Sequence, residues 1–205
     1  MKFTNRYMLF YAMGIAAVVA VLLTVVATGL KGRQQSNIDN ERKQMLLAAI
    51  GVDCDRNEAQ NLYSRYFKQE LTVESGNEEL PLYLFEKEDS RGYVVPLSGK
   101  GLWGPIYANV ALDESFNTIV GITFSHEGET PGLGAEIVSE EFCKRFIGKQ
   151  IRGNDGRIVG VKVKKHADAD NLHEVDALSG GTMTSNGVSE MLVDGLLKYQ
   201  AFEYR

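Results

Sequence analysis

The sequence is short of the residues from which most enzyme centres are built. Its two cysteines, Cys54 and Cys143, lie far apart and in no C-x-x-C or neighbouring-histidine spacing, which argues against a metal site. Spacing leaves open whether they are free thiols or a disulfide pair. No serine or cysteine nucleophile motif accompanies His126. No dinucleotide-binding glycine fingerprint is found, and no G-K-[ST] follows Gly180-Gly181, so neither a Rossmann nor a P-loop nucleotide site is expected. Lys and Arg form no dense cluster among aromatics and the net charge is -5, which excludes a nucleic-acid partner needing phosphate neutralisation. Paired carboxylates at a catalytic spacing are also missing, since Glu140-Glu141 and the pair Asp168 and Asp170 read as solvated faces.

What is there begins with an appended apolar run. A chain of 205 residues with a charged fraction of 24% fits one folded domain plus an appendage. From Tyr7 to Leu30, "YMLFYAMGIAAVVAVLLTVVATGL" contains no Asp, Glu, Lys, Arg or His. At about 1.5 Å per residue it crosses a hydrocarbon core of about 30 Å. Val26-Ala27-Thr28 offers small residues for a cleaved leader, but the run exceeds the usual leader core. An uncleaved single-pass anchor is therefore expected over residues 1–31, with Tyr7, Phe10 and Tyr11 at the interface. Lys2 and Arg6 precede the run while Lys31, Arg33, Arg42 and Lys43 follow it, so charge alone leaves the orientation open.

Residues 32–79 read as a helical linker or stalk. Met45, Leu46, Ala49 and Ile50 share one helical face, which predicts a helix from about Asp39 to Ile50 closed by Gly51. A weaker helix is predicted around Leu62 to Phe67. The body is expected from 80 to 205. "PLYLFEKE" and "GYVVPL" are strand candidates. "IYANVALDESFNTIVGITFSH" reads as a hairpin, with Val110 and Leu112 alternating on one arm, Val120, Ile122 and Phe124 on the other, and Asp113 to Asn117 as the turn. "RIVGVKVKK" is another strand, alternating through Val159, Val161 and Val163. Val188, Met191, Leu192, Leu196 and Tyr199 then recur at helical spacing. The fold class is α+β with a mainly antiparallel sheet and no βαβ alternation.

Three segments carry the candidate chemistry. In "DALSGGTMTSNGVSEML", Ser179-Gly180-Gly181 permits close backbone approach, and the Thr182, Thr184 and Ser185 hydroxyls crowd a helix start placed near Asn186 or Gly187. Unpaired N–H groups and the helix dipole there suit a phosphate, although an ordinary capped turn has the same composition. In "HEGETPGLGAEI", Pro131 stiffens a bend that Gly128, Gly132 and Gly134 free, so that its backbone can lie against a flat ligand. Glu129 and His126 are hydrogen-bonding or acid-base candidates there, against the plainer alternative of a glycine-rich turn. In "GKGLWGPIYANVAL", Trp103, the only tryptophan, is either a packing residue or a stacking partner for an aromatic cofactor.

Taken in order along the chain, the anchor, "LKGRQQSNIDNERKQMLLAAIGV", "GLWGPIYANVALD", "HEGETPGLGAEI" and "DALSGGTMTSNGV" resemble the C subunit of the Na+-translocating NADH:quinone reductases. The G subunit of the Rnf complex is a near neighbour. In that family FMN is attached by a phosphoester bond to the threonine of D-x-x-[ST]-G-A-T by a dedicated flavin transferase. The resemblance implies Asp176, Ser179 and Gly180 as motif residues and Thr182 as acceptor, with Gly181 standing where the family has alanine. Thr184 is the rival acceptor. The implied FMN contacts are Trp103, Glu129, Thr130, Leu133, Gly134, Ser179, Gly180, Gly181 and Thr184, with Trp103, Leu133 and the Pro131 to Gly134 backbone as the apolar wall.

The resemblance further implies a membrane-anchored electron carrier with no complete reaction of its own, working beside the other subunits of the complex. NADH, the other flavins and the Na+ pathway belong to those subunits, and the FMN domain lies on the outer side of the inner membrane. An Rnf-type role would imply ferredoxin and NAD in place of quinone. A non-redox anchored module, holding a phosphorylated ligand or a partner protein in its glycine loops, is the alternative from another class.

Overall fold

The structure, a computed structural model, describes residues 5–88 and 90–202; Lys2, one of the flanking charges, lies outside them. Two units are compact in themselves, Met1–Arg42 and Lys43–Arg205.

The first unit is helical throughout its described length, as part of α1 (Asn5–Ala49). Its apolar run is long and uncharged enough to cross a membrane, and none of it is buried. The two threonines of the run are satisfied locally: the hydroxyls of Thr24 and Thr28 donate to the carbonyls of Ala20 and Thr24, each at 2.7 Å. That is the requirement placed on a helix without water around it. The Tyr7 and Tyr11 rings stack with centroids 6.3 Å apart.

The second unit begins with the last turns of α1. Gly51 ends the helix as the sequence predicts, at φ +69°, and the Val52 N–H reaches back to Leu47 O at 3.0 Å. This is a Schellman closure, which needs a left-handed residue that glycine supplies without strain. Lys87 Nζ donates to the Ile50 and Gly51 carbonyls, both at 3.0 Å. After α2 (Ala59–Tyr66) come β1 (Phe67–Ser75), β2 (Glu78–Lys87), β3 (Ser90–Lys100), β4 (Pro105–Asp113) and β5 (Ile119–His126). They form an antiparallel meander in sequence order. Thus α2 and β1 occupy residues that read as linker, and Leu80 pairs with Val73 inside the first hairpin. Strand β1 is an edge strand with only Phe67 and Val73 buried, so its sequence lacks the alternation that marks a half-buried strand.

The sheet is covered on both faces. On one, Leu46, Leu47 and Ile50 from the end of α1 pack against Phe67, Tyr83 and Phe85. On the other, Val188, Met191, Leu192 and Leu196 of α4 (Thr182–Leu197) lie against β3 and share one core with buried residues of the remaining strands. Consecutive residues Tyr93, Val94 and Val95 are therefore all buried, which is why β3 shows a continuous apolar run. The predicted β4–β5 hairpin is present, but Val120 is 45% exposed while Ile119 is buried. A register shift beside Leu112 pairs that residue with Ile119 and Ala111 with Gly121, turning Val120 outward. The Asp113 carboxylate organises the turn, accepting from the Asn117 N–H at 3.0 Å and the Thr118 N–H at 2.9 Å.

Between β5 and α4 lie a 3-10 turn (Gly134–Val138), α3 (Glu140–Lys144), and a short parallel pair, β6 (Lys162–Lys164) with β7 (Glu174–Asp176). The strand predicted from Arg157 contracts to these three residues of β6 because Gly160, at φ +67°, turns the chain. Val161 and Val163 still point inward and Val159 does not. The domain is α+β with a mainly antiparallel sheet. Both cysteines are free.

Candidate functional site

The three candidate segments meet at Glu129. This residue follows β5, where the His126 ring, through Nδ1, accepts from the N–H groups of Gly128 and Glu129 at 3.4 and 3.3 Å and so folds the chain inward. His126 is thus a turn-forming residue. The Glu129 side chain is buried, with 4% of its surface exposed. One carboxylate oxygen accepts from the Trp103 N–H at 2.9 Å, and the other accepts from the Thr184 hydroxyl. Burial pushes the carboxyl pKa up, and hydrogen bonds from Thr184 and from the N–H groups of Trp103, Leu102 and Gly104 outweigh it, leaving the group below its ordinary range. Glu129 is therefore held as a carboxylate whose oxygens face protein donors.

Backbone packs tightly around that carboxylate. A β-carbon at Gly101 would sit 2.5 Å from one oxygen, and one at Gly134 would collide with the other oxygen and with the Thr184 hydroxyl. Only glycine leaves room at these two places. On the far side of Gly134, the Leu133 side chain covers Gly180, and the Leu133 carbonyl faces Gly181. The loops of 101–104 and 129–134 and the start of α4 thus form one continuous cradle.

Helix α4 starts at Thr182, a full turn before the Asn186 or Gly187 expected from the sequence. Ser and Thr disguise a helix because their hydroxyls usually compete for backbone groups. Here those hydroxyls are engaged elsewhere: Thr184 donates to Glu129, and Ser185 Oγ accepts from the Leu178 N–H at 3.1 Å. Gly181, at the N-cap, offers no side-chain cap. The helix pattern leaves the Thr182, Met183 and Thr184 N–H groups without intrahelical acceptors.

The hydroxyls on this turn differ sharply. Thr182 is exposed; Thr184 is 2% exposed. Ser179, Gly180 and Thr130 are exposed, and Gly134 and Gly181 are buried. Trp103 is 70% exposed, which removes the packing alternative for its ring. Leu102, Leu133 and Met183 add further exposed apolar side chains; Leu102 and Met183 are each adjacent to a candidate residue and were not singled out by the sequence pattern. Arg145 also escaped it: its guanidinium donates to the Asp176 and Ala177 carbonyls at 3.1 and 3.2 Å, fixing the strand that leads into the motif. No sequence signal links Arg145 to a segment so far downstream.

Residues 101–196 match the sequence model of the FMN-binding domain, a span that starts and ends with the cradle and its helix. Among solved structures, the C subunit of the Na+-translocating NADH-quinone reductase from Parabacteroides distasonis superposes with a TM-score of 0.77 and 35% identity, covering 83% of this chain and 94% of that one. The chain belongs to the C-subunit family of these reductases. The Shewanella oneidensis member superposes with a TM-score of 0.62 at 25% identity, over 74% of this chain and 88% of its own. The C subunit of Vibrio alginolyticus is 28% identical over 214 residues, 85% of this chain and 84% of the relative. That of Neisseria meningitidis serogroup B is 42% identical over 109 residues, 52% of this chain and 42% of the relative.

The cradle fits an FMN phosphate and ring in kind: N–H groups without intrahelical acceptors beside an exposed threonine for the anion, and exposed apolar side chains for the ring.

Proposed function

We propose that this chain is the FMN-carrying electron-transfer subunit of a Na+-translocating NADH-quinone reductase, with FMN joined by a phosphoester bond to the Thr182 hydroxyl. The observation that carries the reading is the position of Thr182: exposed, first in α4, and beside N–H groups that have no helical partner. The bond made is Oγ to phosphorus, and the hydroxyl loses its proton. Because a phosphomonoester does not condense with an alcohol unaided in water, the flavin transferase must draw on an FMN anhydride, whose phosphoanhydride bond breaks. The net gain is FMN less water.

Once attached, FMN supplies reversible electron acceptance. The chain's own residues do the rest. The N–H groups of Thr182, Met183 and Thr184 offer donors to the remaining phosphate oxygens. Trp103, Leu133 and Met183, exposed apolar side chains beside the site, would shield the bound ring from water, and the ester would keep the carrier from diffusing away. The apolar run of α1 spans the inner membrane once, with the domain on the outer side among the other subunits of the complex. The isolated chain completes no reaction.

Mass analysis of the full-length chain, produced with and without a flavin transferase, tests this reading. A gain of one FMN less one water on the peptide containing Thr182, absent from Thr182→Val, is the expected result. An unmodified mass in the presence of active transferase overturns it.

A further inference from the structure

We propose that Glu129 and Thr184 form a clamp that holds the Trp103 loop against the first turn of α4, so that the ring wall and the attachment hydroxyl stay in register. The functional part of this inference rests on the reading of Thr182 as the FMN acceptor. Glu129 and Thr184 are positioning residues, acting through the groups they hold.

Five observations converge. The Glu129 carboxylate and the Thr184 hydroxyl are buried and bonded to each other, so neither faces a ligand. The other carboxylate oxygen takes the Trp103 N–H at 2.9 Å, tying the connection between β3 and β4 to the segment after β5. Gly101 and Gly134 leave no room beside the carboxylate for a β-carbon, so the surrounding backbone is built around this contact. Thr184 lies two positions after Thr182 on the same helical turn, where fixing one fixes the orientation of the other. The Gly101–Gly104 turn has one backbone bond of its own, Gly101 N–H to Gly104 O at 2.8 Å, and otherwise depends on the carboxylate for its inward donors. A buried carboxylate with several N–H and O–H donors is a stiff anchor, because removing any donor leaves a charge under-satisfied.

The chain contains a single tryptophan, and it sits on the clamped loop. Its fluorescence therefore reads the clamp without any flavin. In full-length apoprotein, Thr184→Val should lower the anisotropy of Trp103 emission and raise its accessibility to a soluble quencher, and Thr184→Ser should restore both. In the same variants, attachment of FMN by the transferase should slow about tenfold for valine and stay within about twofold of wild type for serine, the loss expected for a hydrogen bond to a buried charge. If either the Trp103 signal or the attachment rate of Thr184→Val matches wild type, the clamp is refuted. Should the valine variant lose its helical circular dichroism, Glu129→Gln is held to the same two criteria. Wild-type chain that takes up no FMN refutes the acceptor reading instead, and the Trp103 signal then decides the clamp by itself.

Discussion

Thr182 and Thr184 stand two residues apart on the first turn of α4 with opposite surroundings: one hydroxyl is exposed, the other is buried and donated to Glu129. Under the proposed function, a transferase acting from solvent would reach only the first. Thr182→Ser keeps an exposed hydroxyl and should still gain FMN, while Thr182→Val should gain none even with Thr184 intact. Peptide mapping checks both, and FMN found on Thr184 in the valine variant would contradict the exposure argument.

Gly181 replaces the alanine of the family motif without needing to be glycine. Its φ of -108° is open to any L residue. An added β-carbon would lie 3.2 Å from Leu178 Cβ and 3.3 Å from the Leu133 carbonyl oxygen, contacts relieved by a shift of a few tenths of an ångström. Gly181→Ala should fold normally and accept FMN within about twofold of wild type, with a stability change within about 1 kcal/mol. Chemical denaturation and timed mass analysis measure the two effects.

The acid side of the stability profile follows from two carboxylates. Glu129 and Asp113 are both pushed up by burial and brought down further by hydrogen bonds, from Thr184 and the Trp103 loop in one case and from Asn117, Thr118 and Ser115 in the other. A carboxyl whose folded-state pKa is depressed adds stability above its unfolded value, about 4, and loses it as pH falls through the folded value. Between about pH 7 and pH 3 the wild-type Tm should fall, and the fall should be smaller in Glu129→Gln and in Asp113→Asn. An unchanged pH dependence in both variants would show that other groups govern the acid limb.

The irregularity in β5 separates two neighbouring β-branched residues. Ile119 is fully buried and Val120 is 45% exposed. Val120→Thr should change stability by less than about 0.5 kcal/mol, whereas Ile119→Ala should cost about 2–5 kcal/mol. Urea unfolding of the pair measures the difference, and equal costs would place the bulge elsewhere.

Local chemistry decided much of this protein by itself. An uncharged run from Tyr7 to Leu30 specifies a membrane-length helix through hydropathy alone, Gly51 ends a helix because its backbone tolerates φ +69°, and Val110 with Leu112 marks a half-buried strand by period. The motif that carries Thr182 is also local, being read from adjacent residues. Elsewhere local pattern misled: the β5 bulge turned Val120 outward, and Gly160 cut a predicted strand to Lys162–Lys164. Each is a one-residue backbone decision that leaves the hydrophobic order almost unchanged.

Tertiary structure alone decided which hydroxyl is available and what Glu129 does. Thr184 lies 55 residues from Glu129 along the chain, and no period or spacing encodes a contact across that separation. Once they meet, burial removes water as a competitor for the carboxylate, so the oxygens must be satisfied by the Trp103 loop and by α4. With Thr184 so engaged, α4 starts at Thr182, and Thr182 itself stays exposed.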